Sequence, residues 1–288
     1  MINDFEFIRP RDVPEALEAL TRKGRIVPLA GGTNMMVNMK RVPLEADLVV
    51  DLTSLEALEP ITTDHDTIRL GAGVTFARLL DWRPGSAVEE LMRPMCLGFA
   101  GPLIRNLATI GGNICDASPA ADVSPVLLAL DASVTLESTA GGYRTLPLSE
   151  FFKGVRKTAR GENELLTSVS FPEPDGDERA FYYKLGKRKA DAISIVSLAM
   201  TVKFNGGLVE RARIALGAVA PMAMRAIKAE KFLQDETLND KTIATAAALA
   251  ASEVQPIDDF RAGGNYRRQM VEVLVTRGLK EIASNGSG

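Results

Sequence analysis

Histidine and cysteine are the scarcest chemistry in this chain of 288 residues, which holds one histidine, His65, and two cysteines, Cys96 and Cys115. A single histidine excludes most hydrolytic triads, the zinc proteases and two-histidine metal sites, all of which need that residue type. His65 stands in Thr-Thr-Asp-His-Asp, which reads as a solvated turn. Two cysteines cannot build a disulfide scaffold, a four-cysteine zinc site or an iron-sulfur cluster, so reduced thiols are expected. Excess basic charge is missing as well: 34 Lys and Arg face 37 Asp and Glu, a net charge of -3. Nucleic-acid binding therefore has no electrostatic motive. No run approaches the roughly 18 apolar residues of a membrane span. Met1-Ile2-Asn3-Asp4-Phe5-Glu6 lacks the basic-then-apolar order of a signal peptide, so a cytoplasmic protein with no membrane span is expected.

What is present is ordinary globular composition, 46% hydrophobic and 25% charged. At about 100 to 200 residues per domain, the length favours two domains. The apolar spacing predicts a helix over 13–23, with Asp12 and Glu15 spaced as a capping box and Gly24 past its end. Strands are expected at 25–29, at 48–52 and from Thr67, followed by a short helix over 75–82. The stretch from Met95 to Leu130 carries Gly98, Gly101, Gly111, Gly112, Pro102, Pro119 and Pro125 yet stays apolar. It reads as a buried, loop-rich region, and long ordered loops in compact domains are usually functional. A hairpin over 133–137 and 143–146 and a strand over 166–171 follow.

The acidic run Pro172-Glu173-Pro174-Asp175-Gly176-Asp177-Glu178 places a domain boundary near residue 175. Beyond it, strands over 180–187, 195–204 and 208–218, with Asn205-Gly206-Gly207 as a hairpin turn, precede helices over 225–233, 241–254 and 266–282. An α+β organisation results: a first domain over 1–174, with sub-parts of about 1–55 and 56–174, then a second over 175–283 and a flexible tail at 284–288.

Neither familiar phosphate signature is complete. There is no G-x-x-x-x-G-K-[ST], and the nearest G-x-G-x-x-G, starting at Gly71, ends in Phe76. Two small-residue segments of similar composition stand out instead, Ala30-Gly31-Gly32-Thr33-Asn34 and Ala108-Thr109-Ile110-Gly111-Gly112-Asn113. Adjacent glycines let successive backbone N–H groups converge on an anion, and Thr and Asn add donors. One Gly-Gly pair alone is better read as a tight turn, whereas two matched pairs open the alternative of a pyrophosphate grip. Asp122 can accept from a ribose or ribityl hydroxyl, or it can cap the helix that starts near Ser124-Pro125; the residues alone favour the cap.

The two segments, joined by Ile104-Arg105-Asn106-Leu107 and followed by Ser118-Pro119 and Asp122, resemble the FAD-binding medium subunit of the molybdenum hydroxylases, the carbon monoxide and xanthine dehydrogenase family. The likeness extends along the chain through Phe5, Phe7 and Pro10, Lys184 with Arg188 and Asp191, Ile214 to Gly217 with Ala220-Pro221, and Tyr266-Arg267. It implies a two-part FAD-binding domain of the vanillyl-alcohol-oxidase/PCMH type followed by a smaller domain of antiparallel sheet and helices.

For the residues, the resemblance implies that Pro28, Leu29, Ala30, Gly31, Gly32, Thr33, Asn34 and Met35 form one FAD-binding loop, and Thr109, Ile110, Gly111, Gly112 and Asn113 the other. Phe99 falls near the flavin, Asp122 takes a hydroxyl, Leu166 lies near the adenine and Lys184 at the flavin's pyrimidine edge. Taken alone, Phe99 reads as core and Lys184 as a solvated strand lysine. Asn34 stands where the family often has an acidic residue, and the cysteine-rich cluster loop of some relatives is missing. The lone histidine lies outside both loops, so noncovalent FAD is expected. The resemblance further implies a large molybdenum-binding subunit carrying the molybdenum cofactor, a small subunit carrying two-iron two-sulfur clusters, a dimer of heterotrimers and an external electron acceptor. The alternatives are a free-standing flavin reductase of the same fold and a flavin-free assembly subunit.

Overall fold

The computed structural model describes residues 4–188 and 191–284, so the expected tail falls outside the described residues from 285 onward. The chain begins with β1 (Glu6–Ile8), α1 (Val13–Ala19), β2 (Ile26–Leu29), α2 (Thr33–Met39) and β3 (Leu48–Asp51). The three strands form a parallel sheet in the order β1-β3-β2. α1 covers it by burying Ala16, Leu17 and Leu20 with Leu48 and Val50. The Asp12 carboxylate accepts the Glu15 N–H at 2.8 Å, as the capping pattern predicts. Glu15 does not complete the box, because its carboxylate takes the Arg11 N–H at 2.7 Å. The helix also stops at Ala19 rather than at Lys23: Thr21 and Arg22 donate to Glu18 and Ala19, tightening the last turn to i→i−3 bonds.

The second part is built from β4 (Ile61–Asp64), β5 (Thr67–Gly71), α3 (Phe76–Asp81), α4 (Ser86–Gly98), α5 (Pro102–Arg105), α6 (Ile110–Asp116), α7 (Val123–Ala129), β6 (Ser133–Ser138), β7 (Gly142–Pro147), α8 (Leu148–Phe151), β8 (Phe152–Gly154), β9 (Lys157–Thr158) and β10 (Leu165–Pro172). Its antiparallel sheet runs β4-β5-β10-β6-β7. His65 is exposed in the β4–β5 turn, as expected. The stretch 95–130 is corrected: it is a string of short helices rather than a set of loops. Its glycines and prolines mark helix boundaries. Gly98 ends α4, Pro102 opens α5 at a position where its missing N–H costs nothing, and Thr109 caps α6.

The third part comprises β11 (Glu178–Leu185), β12 (Val196–Asn205), β13 (Leu208–Gly217), β14 (Met224–Arg225), α9 (Ile227–Leu233), α10 (Asp240–Glu253) and α11 (Gly264–Ser284). The strands pair antiparallel in the order β11-β12-β13-β14. Their two faces differ, as the two-residue period of a strand dictates. Val196, Leu198, Met200 and Val202 pack against the helices α9 to α11. The opposite face carries the small residues Ser197, Ala199 and Thr201, which lets α7 of the preceding part approach closely, while α4 packs on β11. Thr201 donates to the Ala129 carbonyl at 3.3 Å across this seam. Ala199, Ala215 and Tyr182 belong to the same apolar core as Leu127 and Phe171, so the sheet is shared between two layers of helices. Glu178 closes the run taken as a linker, yet it is buried and paired with Arg211 and Arg213. The third part therefore starts inside that run.

Candidate functional site

The two Gly-Gly segments, far apart in the chain, meet in space. A Cβ built on Gly31 would lie 1.7 Å from the Leu107 carbonyl oxygen, and one on Gly111 would lie 2.6 Å from the Ala72 Cβ. Both positions are glycine because backbones touch there. A Cβ built on Gly112 would meet the Thr109 hydroxyl at 3.0 Å and the Ala30 Cβ at 3.7 Å, so the segments face each other. Gly32 adopts φ +68 and starts α2, a conformation that a side chain disfavours.

Their amide groups are not equivalent, which corrects the expectation that both offer N–H groups to an anion. In the second segment, Ile110 N–H donates to Val74, Gly111 N–H to Ala72, and Gly112 N–H to the Thr109 hydroxyl at 3.1 Å. The first two of those donors are taken by the strap Gly71 to Thr75 and the third by the Thr109 cap, so the incomplete glycine motif at Gly71 serves packing. Ala72 is held in turn by the Thr167 carbonyl at the bulge in β10. The first segment differs: α2 starts at Gly32 without any side-chain cap, which leaves its first-turn N–H groups available to an anion. The second segment offers a side chain instead. The Asn113 amide oxygen is buried and, among the described residues, has no hydrogen-bond partner.

Asp122 and Lys184 come together across 62 residues of sequence. Lys184 Nζ lies 2.6 Å from Asp122 Oδ2 and 2.9 Å from the Gly98 carbonyl, and both side chains are at least nine-tenths buried. Asp122 does not cap α7: its backbone is helical, φ −74 and ψ −33, and its carboxylate turns away from the helix start. Burial pushes the Asp122 carboxyl above the ordinary range, while Lys184 and Ser194 pull it back. Ser194, unsuspected from sequence, is fully buried and donates to Asp122 Oδ1 at 2.7 Å. Beside the pair opens a cleft of about 330 Å³, lined by Leu97, Gly98, Tyr182, Lys184 and Arg188 among others.

A continuous strip of chain joins this cluster to the cradle. Gly98 ends α4 against Lys184, and Arg105 donates to the Phe99 and Ala100 carbonyls at 2.9 and 2.8 Å. Leu107 then abuts Gly31. Arg105 is thus a shaping residue whose role the motif alone does not reveal. Phe99 stacks on Phe76, centroids 3.9 Å apart, at the rim of the core. Leu166 is buried in that same core, so its side chain is spent on packing. Pro28 and Leu29 end β2, while Thr33, Asn34 and Met35 form the first turn of α2, with Asn34 exposed.

Uncapped amides, an unpaired buried amide oxygen and a fixed cation suit a ligand with an anionic centre and a polar ring edge, which fits FAD. Among the described residues, no group of three His, Cys, Asp or Glu could hold a metal ion, and no helix is long and apolar enough to cross a membrane.

Comparison with known proteins gives the same picture. The family model for the FAD binding domain in molybdopterin dehydrogenase matches residues 3–174, and that for the CO dehydrogenase flavoprotein C-terminal domain matches residues 181–282. The chain is 31% identical to the glyceraldehyde dehydrogenase medium chain of Sulfolobus acidocaldarius, over 97% of this chain and 99% of that one. It is 27% identical to the xanthine dehydrogenase FAD-binding subunit of Escherichia coli O157:H7, over 100% and 99%. A chain in the crystal structure of cyanide-inactivated Cu,Mo-CO dehydrogenase superposes with a TM-score of 0.93 at 28% identity, covering 99% of both chains.

Proposed function

The chain belongs to the family of FAD-binding subunits of the molybdopterin dehydrogenases, and from that premise we propose that it is the electron-relaying FAD subunit of a multisubunit molybdenum hydroxylase. It takes electrons from a small two-iron two-sulfur subunit and delivers them to an external acceptor; substrate oxidation occurs on a large subunit that holds the molybdenum cofactor. The observation that carries this reading is the convergence of the two Gly-Gly segments on one cradle, continuous with the Asp122–Lys184 pair.

Bound FAD would supply a ring that accepts and releases electrons. The residues around it have separate tasks. The first-turn amides of α2 hold the pyrophosphate, and Gly32 keeps that turn open. The Asn113 amide oxygen is free to accept from a ligand hydroxyl, while Gly31 lets the first segment close on Leu107 at the start of the second and Gly111 seats the second against Ala72. Lys184 presents a positive charge that favours the electron-rich form of the ring. Asp122 already has both oxygens engaged, and its spare lone pairs remain for a hydroxyl.

Beside the cradle, Met36 and Val37 on α2 and Leu103 and Leu107 on and just after α5 are exposed apolar side chains, Leu103 at 81%. They suit the docking of a partner subunit, and a pair of heterotrimers is the proposed assembly. We treat residues near 175 as the junction of the two domains. The test is an absorbance spectrum of the purified chain, then acid precipitation and chromatography of the released pigment. About one equivalent of free FAD per chain is expected; a colourless chain that takes up no FAD on incubation, alone or with its co-purifying subunits, would refute the reading.

A further inference from the structure

Lys184 lies on β11, the edge strand of the third sheet, yet its charge is fixed by groups from two separate places in the chain. The Gly98 carbonyl at the end of α4 and the Asp122 carboxylate each accept one of its protons. An ammonium has three N–H donors, so one remains for whatever occupies the adjoining cleft. Asp122 is in turn held by the Ser194 hydroxyl, which is fully buried and makes no other side-chain bond among the described residues. The backbone around Ser194 is itself pinned. Ile195 N–H donates to Leu185 at 2.7 Å, and the buried Arg267 donates to the Ile195 carbonyl at 2.8 Å.

We infer that Ser194 is a positioning residue for the flavin-facing charge, acting through Asp122 to fix Lys184. The inference rests on the proposed placement of FAD beside Lys184. Its physical content is directional. A carboxylate held on one oxygen only can rotate, and the ammonium paired to it follows. The serine hydroxyl removes that freedom and leaves the free N–H of Lys184 facing the cleft. A merely structural role, satisfying the buried Asp122 oxygen, would leave the flavin potential unmoved, which is what the test reads.

The test compares the FAD-loaded full-length chain, in its native complex where partners co-purify, across Ser194→Ala, Ser194→Thr, Lys184→Met and the Ser194→Ala/Lys184→Met double variant. Flavin content, circular dichroism and the midpoint potential of the bound flavin are measured for each. Ser194→Ala should keep wild-type flavin content and fold while its potential moves to a more negative value, in the same direction as Lys184→Met and by less. Ser194→Thr should restore the wild-type potential, and the double variant should match Lys184→Met alone. A wild-type potential in Ser194→Ala, where Lys184→Met shifts, overturns the positioning role and leaves the flavin placement standing. An unmoved potential in Lys184→Met overturns the placement itself, and with it the inference.

Discussion

Gly111 and Gly112 are neighbours with different duties, and substitution separates them. Gly111 is buried with Ala72 against its missing side chain, whereas Gly112 is exposed and meets only the Thr109 hydroxyl and Ala30. Gly111→Val forces backbones apart and should cost about 1–3 kcal/mol or more of stability, seen as a lower urea midpoint. Gly112→Val should leave the urea midpoint nearly unchanged while flavin content of the purified protein drops. Equal flavin loss at equal stability in both variants would contradict this division. Sequence shows both glycines but not the distinction, since Ala72 approaches from a distant turn. The same holds for Asp122: the local pattern says cap, and only the chain's return at Lys184 and Ser194 turns the carboxylate elsewhere.

At the scale of elements, the hairpins and the amphipathic pattern of the third part were legible because each depends on a few neighbouring residues, as with Asn205-Gly206-Gly207 between β12 and β13. Residues 95–130 were not, because glycine and proline mark loops and helix ends alike. Thr109 shows how the ambiguity resolves: its extended backbone and its bond to Gly112 N–H start α6 inside what reads as a loop. α2 was missed for the opposite reason, since Thr33–Met39 buries no side chain and so shows no apolar stripe. Thr109→Ala should cost about 1 kcal/mol in urea unfolding and Thr109→Ser much less, as for other caps. An alanine variant as stable as the parent would mean that the strap Gly71 to Thr75 alone holds the start of α6.

For the whole molecule, the division near residue 175 that reads as a linker is not an energetic boundary. Tyr182, Ala199 and Ala215 lie in the core of the preceding part, and Lys184 neutralises its buried Asp122. A fragment ending at residue 174 should therefore lack a sharp thermal transition and be digested quickly by protease; a cooperative, resistant fragment would show that the parts fold independently. The loop before α11 is tied by Asp259. Burial pushes its carboxyl up, but hydrogen bonds from Arg261 and the charges of Arg267 and Arg261 overrule it and hold it well below the ordinary range. A depressed carboxyl contributes stability that is present above its unfolded pKa of about 3.9 and lost as pH falls below it. Urea midpoints should fall between pH 6 and pH 3 by more in the parent than in Asp259→Asn, and parallel declines would count against the ion pair.

The Asp122–Lys184 bond also has a consequence in time. A chain made from its N-terminus exposes Asp122 before Lys184 has been polymerised, and the 62 residues between them occupy several seconds at about 5 to 20 residues per second. Throughout that interval the carboxylate meant for the interior has no counter-charge, and the seats for α4 on β11 and for α7 on the small-residue face of β12 and β13 do not yet exist. The nascent first domain must wait, solvated at this corner, for the rest of the chain. On the proposed placement of FAD beside Lys184, cofactor capture then waits for the third part of the chain, and a chain truncated between the two residues would be unable to close this corner.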